Sequence, residues 1–275
     1  MHKIIRTLWD VLWYIIVFLL VQLTVEMAAA LIYSHVEALS FTRVAQDMVN
    51  GQIGWLLAVT SVVSSLITII LFTCCRWAPI SRQWLLARPW ATLCWVVLLT
   101  IGTILPAEWL YEKLQLQMPE EAIALFQSIM KEPWGYLAIG IFVPVAEELV
   151  FRGAILRTLL NFFNKDIHWV AIVLSAIIFG TVHMNMAQGI HAGLIGLLIG
   201  WMYYRTRSVI PGIVLHWVNN SVAYVIFNLM PNANDGKFID LFHGDERLMY
   251  MGLGCSLMVL LPSLFQLAIR MKCEE

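Results

Sequence analysis

The sequence predicts an all-α fold: a polytopic membrane helical bundle of about eight transmembrane helices with a buried polar site. Three observations predict it. The 275 residues are 60% hydrophobic and 13% charged, with a mean hydropathy of +0.78. Soluble domains run roughly 45–50% apolar and about 25% charged. Apolar stretches recur at lengths near the ~20 residues that cross a hydrocarbon core. Basic residues then fall mostly into alternate loops, as cytoplasmic loops require.

Spans are predicted near 10–33, 52–73, 90–106, 136–160, 168–186, 189–205, 209–229 and 248–270. The first could be a signal peptide cleaved near Ala28-Ala29-Ala30, but its long apolar stretch ends in Leu31-Ile32-Tyr33 and reads as a retained anchor. Eight spans put both termini on one side. Lys3, Arg6, Arg76, Arg82, Arg88, Arg157, Lys165, Arg205, Arg207, Arg270 and Lys272 share that side. Arg43, Lys113, Lys131, Lys237 and Arg247 lie on the other, and eleven against five predicts cytoplasmic termini. The chain reads as one integral membrane domain, 1–275, with core helices over 136–229.

Two non-cytoplasmic segments are long. Residues 107–135 set Leu114, Leu116, Ile123, Phe126 and Ile129 among acidic residues. Two readings are open there: an amphipathic segment lying on the membrane as a lid, or a solvated connector. Residues 230–247, with Asn232, Asn234, Asp235 and Gly236, have a loop composition. A net charge of −1 gives no polyanion-binding surface, so no nucleic-acid partner is expected. Cys74, Cys75, Cys94, Cys255 and Cys273 are odd in number and lack CxxC spacing, which argues against a disulfide framework or zinc ribbon.

Charged groups inside a bilayer are costly and are functional candidates. In this chain they are grouped. Glu147-Glu148-Leu149-Val150-Phe151-Arg152 lies in the fourth span. At about 100° per residue, Glu148 and Arg152 share a helix face in the acid-first order that favours an ion pair. Glu147 points roughly 140° away from Arg152. One carboxylate thus gains a built-in cation, and the other is left for proton transfer. Pro144 cannot donate to the Gly140 carbonyl, so a local bend is expected there.

Phe179 and His183 are four apart in the fifth span, and His216 and Asn220 are four apart in the seventh. Two hydrogen-bond donors one turn apart can bind an oxyanion; interhelical polar glue is the plainer alternative. Gly189, Gly193, Gly196 and Gly200 line the sixth span, and Gly196-x-x-x-Gly200 permits close helix approach. His191, near a helix end, reads as interfacial.

In order, Glu147-Glu148-x-x-x-Arg152-Gly153, Phe179-x-x-x-His183 and His216-x-x-x-Asn220 resemble the three motifs of the CAAX-protease and bacteriocin-processing (CPBP, or Abi) family. These are intramembrane endopeptidases related to the Ras-converting prenyl-protein protease. The resemblance covers roughly 136–225, and Pro211-Gly212 is also similar. It implies a peptidase in which Glu147 and His183 activate water. His216 and Asn220 would hold the oxyanion, and Glu148 and Arg152 would brace the site. It implies no cofactor in that mechanism. The alternative is a zinc peptidase with Glu147, His183 and His216 as ligands, although the chain has no HExxH helix. Asn220 is a poor zinc ligand and a good hydrogen-bond donor, which favours water activation by glutamate.

The expected partners are the lipid bilayer and a peptide or protein substrate; a lipidated peptide and a bacteriocin leader both remain open. Two other readings compete. One is a non-catalytic bacteriocin-immunity or scaffold protein of the same fold. The other is a transporter or proton relay, which also places Glu and His in spans. On the predicted topology His183 lies roughly 22 Å from the cytoplasmic end of its span, at ~1.5 Å per residue.

Overall fold

A computed structural model describes residues 2–79, 81–229 and 237–271. Every regular element among them is helical. Six helices are long and apolar enough to cross a membrane: α1 (His2–Val36), α3 (Gly54–Cys74), α5 (Trp90–Lys113), α10 (Met186–Thr206), α11 (Ile210–Leu229) and α12 (Glu246–Arg270). The protein is an integral membrane protein. Leu19, Leu20, Leu23 and Leu31 of α1 stand exposed, as lipid-facing side chains do, because lipid solvates them as well as a core would.

The remaining two predicted spans take other forms. Residues 136–162 make one helical run, but with a changing hydrogen-bond register. A π-helical segment, Tyr136–Phe142, leads into α7 (Val143–Glu148). A second, Leu149–Leu156, leads into α8 (Arg157–Phe162). The predicted span 168–186 is α9 (His168–Thr181), which stops five residues early. At ~1.5 Å per residue its 14 residues reach about 21 Å, less than a ~30 Å hydrocarbon core.

Contacts divide the chain into two compact units: residues 1–79 with 118–171, and residues 80–117 with 172–275. In the first, Ala30, Val44, Met48, Ile53, Leu56 and Leu57 form a core among α1, α2 (Phe41–Val49) and α3. Ser40 caps α2, its hydroxyl accepting from the Arg43 N–H at 3.3 Å. The stretch 107–135, for which a lid and a solvated connector are both open, is not one segment. Residues 107–113 are the last turns of α5, and Glu120–Met130 forms a separate helix, α6. That helix is seated on the start of α3: a Cβ on Gly54 would lie 2.4 Å from the Ser128 carbonyl oxygen. The absent side chain lets two backbones touch and holds α6 against α3.

In the second unit the short α4 (Arg82–Leu86) precedes α5, which packs along α11 and α12. Val96, Leu99, Ile199, Met202, Leu215, Leu267 and Met271 form its core. Arg205, at the end of α10, donates to the carbonyls of Ala268 and Met271 and so satisfies the C-terminal carbonyls of α12. The Gly196 and Gly200 pair expected to permit close helix approach is buried in α10. A close backbone approach lies nearer the turn, where a Cβ on Gly180 would meet the Gly189 carbonyl oxygen at 2.5 Å.

The predicted loop residues Asn232, Asn234, Asp235 and Gly236 lie outside the described residues, as do Lys272 and Cys273. Cys74, Cys75, Cys94 and Cys255 are free thiols.

Candidate active site

The acidic motif sits where the helix of the first unit changes register. Pro144 removes one backbone donor. The helix accommodates this by widening just before it: the Val143 N–H reaches the Ala138 carbonyl, five residues back. Such π-turns inside helices recur at functional sites. Glu147 and Glu148 close the α-helical turn that follows, and the second π-segment begins at Leu149.

Across that widened turn Arg152 Nη1 donates to Glu148 Oε1 at 2.7 Å. The side chains are 1% and 0% exposed. Glu147 is only partly buried. Helical phase alone predicts this ion pair, with Glu147 turned away from Arg152. Phe151 is fully buried, and Phe18 of α1 meets its ring edge-to-face at 5.6 Å and 85°. Arg157 extends the same helix and donates to the Trp77 carbonyl at 2.7 Å. These contacts fix the rotation of the glutamate-bearing helix within its unit.

The histidines and asparagines belong to the second unit. His183 does not lie inside a helix. It follows the end of α9 in the short turn before α10. Met184, at φ 58°, turns the chain. Asn185 then caps α10, its Oδ1 accepting from the Gln188 N–H at 2.9 Å. Its Nδ2 donates to Gln188 Oε1 at 2.6 Å. An Asn-x-x-Gln sequence is a helix-start signal of the capping-box kind, and it marks the boundary that the hydropathy pattern ran through.

His183 Nδ1 lies 2.9 Å from the Phe179 carbonyl oxygen. A carbonyl only accepts, so Nδ1 carries a proton, and in the neutral ring Nε2 presents its lone pair. Phe179 is buried, and its ring stands edge-on to both histidines: 5.1 Å and 88° to His183, 6.0 Å and 79° to His216. One aromatic ring thus sets the spacing of the two imidazoles. A backbone carbonyl on one ring nitrogen also suits a metal-ligating histidine. Among the described residues, no three His, Cys, Asp or Glu side chains form a metal-holding group.

On α11, Asn219 Nδ2 donates to Asn220 Oδ1 at 3.2 Å. The same Nδ2 lies 3.4 Å from His191 Nε2. The Tyr111 ring meets His191 edge-on at 5.6 Å and 66°, and its hydroxyl donates to the Ala187 carbonyl at 2.7 Å. His191 is therefore half-buried and joined to the asparagine pair. Tyr111 and Asn219 carry no weight in the sequence reading. Their contacts span 76 residues to Ala187 and 28 residues to His191, which local spacing cannot show.

An apolar groove of about 570 Å³ runs between α9 and α10, lined by Val173, Ile177, Met184, Ile190, Leu194 and Leu197 among others. It passes the turn that carries His183.

Residues 129–222 match the family described as "Type II CAAX prenyl endopeptidase Rce1-like". That stretch holds all three motifs, from Glu147 to Asn220, so the resemblance read from them is shown there. A Bacillus subtilis (strain 168) protein named "Putative membrane peptidase YdiL" is 28% identical over 115 residues, 42% of this chain and 46% of that protein. The match thus spans about half the length of the curated relative. No solved structure matches.

Proposed function

We propose that this protein is an intramembrane endopeptidase that hydrolyses a peptide bond with a water activated by Glu147 and His183. The observation that carries the reading is that one stretch, residues 129–222, matches a peptidase family and contains all three polar motifs. His183 supplies a lone pair on Nε2, since Nδ1 is committed to the Phe179 carbonyl. Glu147 is the more accessible of the two carboxylates and takes the water's proton. Water is a poor nucleophile, and a positioned base contributes about 10²–10⁴-fold.

Attack on the carbonyl carbon places a negative charge on oxygen, and His216 and Asn220 donate hydrogen bonds to it. Each such donor is worth about 10²–10³ in turnover in a water-poor site. The proton then passes to the leaving amine. Glu148 and Arg152 hold the helix that presents Glu147. The apolar groove beside His183 favours a substrate with an apolar or lipidated portion. The resemblance favours a bacterial cytoplasmic membrane, and the basic asymmetry of the eight predicted spans favours cytoplasmic termini.

The test is cleavage of a fluorogenic peptide, plain or farnesylated, by purified full-length protein in detergent. Glu147→Gln should insert and fold yet lose activity. Full cleavage by that variant would sink the mechanism. Activity lost to a chelator and restored by zinc would make the same residues a metal site. Ion-coupled solute uptake in proteoliposomes, with no peptide cleaved, would favour a transporter.

A further inference from the structure

We infer that Tyr111, His191 and Asn219 form a positioning chain that sets the orientation of the Asn220 amide. The inference deepens the reading above, because it rests on the oxyanion role proposed for Asn220.

A primary amide nitrogen carries two hydrogens. In Asn219 one is directed at Asn220 Oδ1, 3.2 Å away, and the other at His191 Nε2, 3.4 Å away. The first contact fixes which end of the Asn220 amide is which. With Oδ1 held by Asn219, the amide turns its Nδ2 donor the other way, as an oxyanion donor must. The second contact needs a lone pair on His191 Nε2, so that imidazole is neutral and protonated on Nδ1.

His191 is itself held. Tyr111 of α5 meets its ring edge-on and donates its hydroxyl to the Ala187 carbonyl, one turn earlier on α10. Tyr111 thus ties the start of α10 to α5 and holds the His191 ring from one side. Without the chain, the Asn220 amide loses the donor that holds its Oδ1, and a flipped amide would present its oxygen to the oxyanion. Repulsion would then replace stabilisation. None of the three residues need touch the substrate; they act through Asn220.

The test uses the full chain with ¹⁵N-labelled histidine in detergent micelles. His191→Gln assigns the His191 signal by its loss. Wild type should show His191 with Nδ1 protonated and Nε2 bare. Asn219→Asp removes both donors at nearly constant volume, and its carboxylate should draw the proton to Nε2. Should that variant not fold, Asn219→Ala removes the same donors and should weaken the tautomer preference.

In the peptide assay Asn219→Asp and His191→Leu should lower kcat about 10- to 100-fold, with KM within about twofold. His191→Gln should retain most turnover, because its Oε1 accepts in place of Nε2. A protonated Nε2 in wild type overturns the chain. So does an unchanged tautomer in both Asn219 variants, or unchanged kcat in Asn219→Asp. If the tautomer shifts as stated but wild type cleaves no peptide, the positioning chain stands and the peptidase reading falls.

Discussion

Arg152 and Glu148 form a buried ion pair one turn apart, with Nη1 2.7 Å from Oε1 and both side chains sealed from solvent. Removing one partner of such a pair leaves an uncompensated charge, at a cost of about 3–5 kcal/mol. Arg152→Ala should therefore lower the yield of folded protein and its thermal unfolding temperature in detergent. Replacing both partners, as in Glu148→Leu with Arg152→Met, should recover much of that loss, since apolar isosteres of buried pairs are often tolerated. Thermal scans of the single and double variants decide the matter.

Glu147→Gln should separate chemistry from folding. The substitution keeps volume and hydrogen bonding at a partly buried position. Unfolding temperature should stay close to wild type, while turnover should fall by about 10²–10⁴. Equal losses of stability and activity would assign Glu147 a structural role.

Asn220→Ala should act on the transition state. Its donor matters most once charge has built up on the carbonyl oxygen, so kcat should fall by about 10²–10³ with little change in KM. A raised KM at unchanged kcat would show that the amide binds substrate instead.

Phe179→Leu tests the ring between the histidines. The hydrogen bond from His183 runs to the main-chain carbonyl of residue 179 and survives the change. The two edge contacts do not, and each is worth about 0.5–1.5 kcal/mol. A modest loss of stability should accompany a fall in kcat larger than that loss would explain. Unaltered kcat would show that the ring fills space only.

Gly180→Ala places a Cβ against the Gly189 backbone oxygen. Backbone cannot give way as a flexible side chain can, and overpacking costs about 1–3 kcal/mol. A lower unfolding temperature is expected, with activity reduced because the His183 turn lies directly beyond. An unchanged temperature would mean that α9 and α10 separate without penalty.

Much of this protein was legible in its sequence, and the reason is the solvent. A bilayer demands long apolar helices and tolerates few charges, so the six crossing helices and the polar motifs stand out as pattern. Local spacing also sufficed for Glu148 with Arg152 and for Phe179 with His183, because i and i+4 meet on a helix whatever surrounds it. Tertiary structure decided the rest. Hydropathy is blind to hydrogen-bond register, so the two π-segments flanking Glu147 were invisible in it. The apolar run of α9 continues past its end, and the turn at Met184 with the Asn185 cap sets His183 outside the helix. Tyr111, His191 and Asn219 come from three different helices. They meet only because packing within their unit closes distances along the chain that no periodicity encodes.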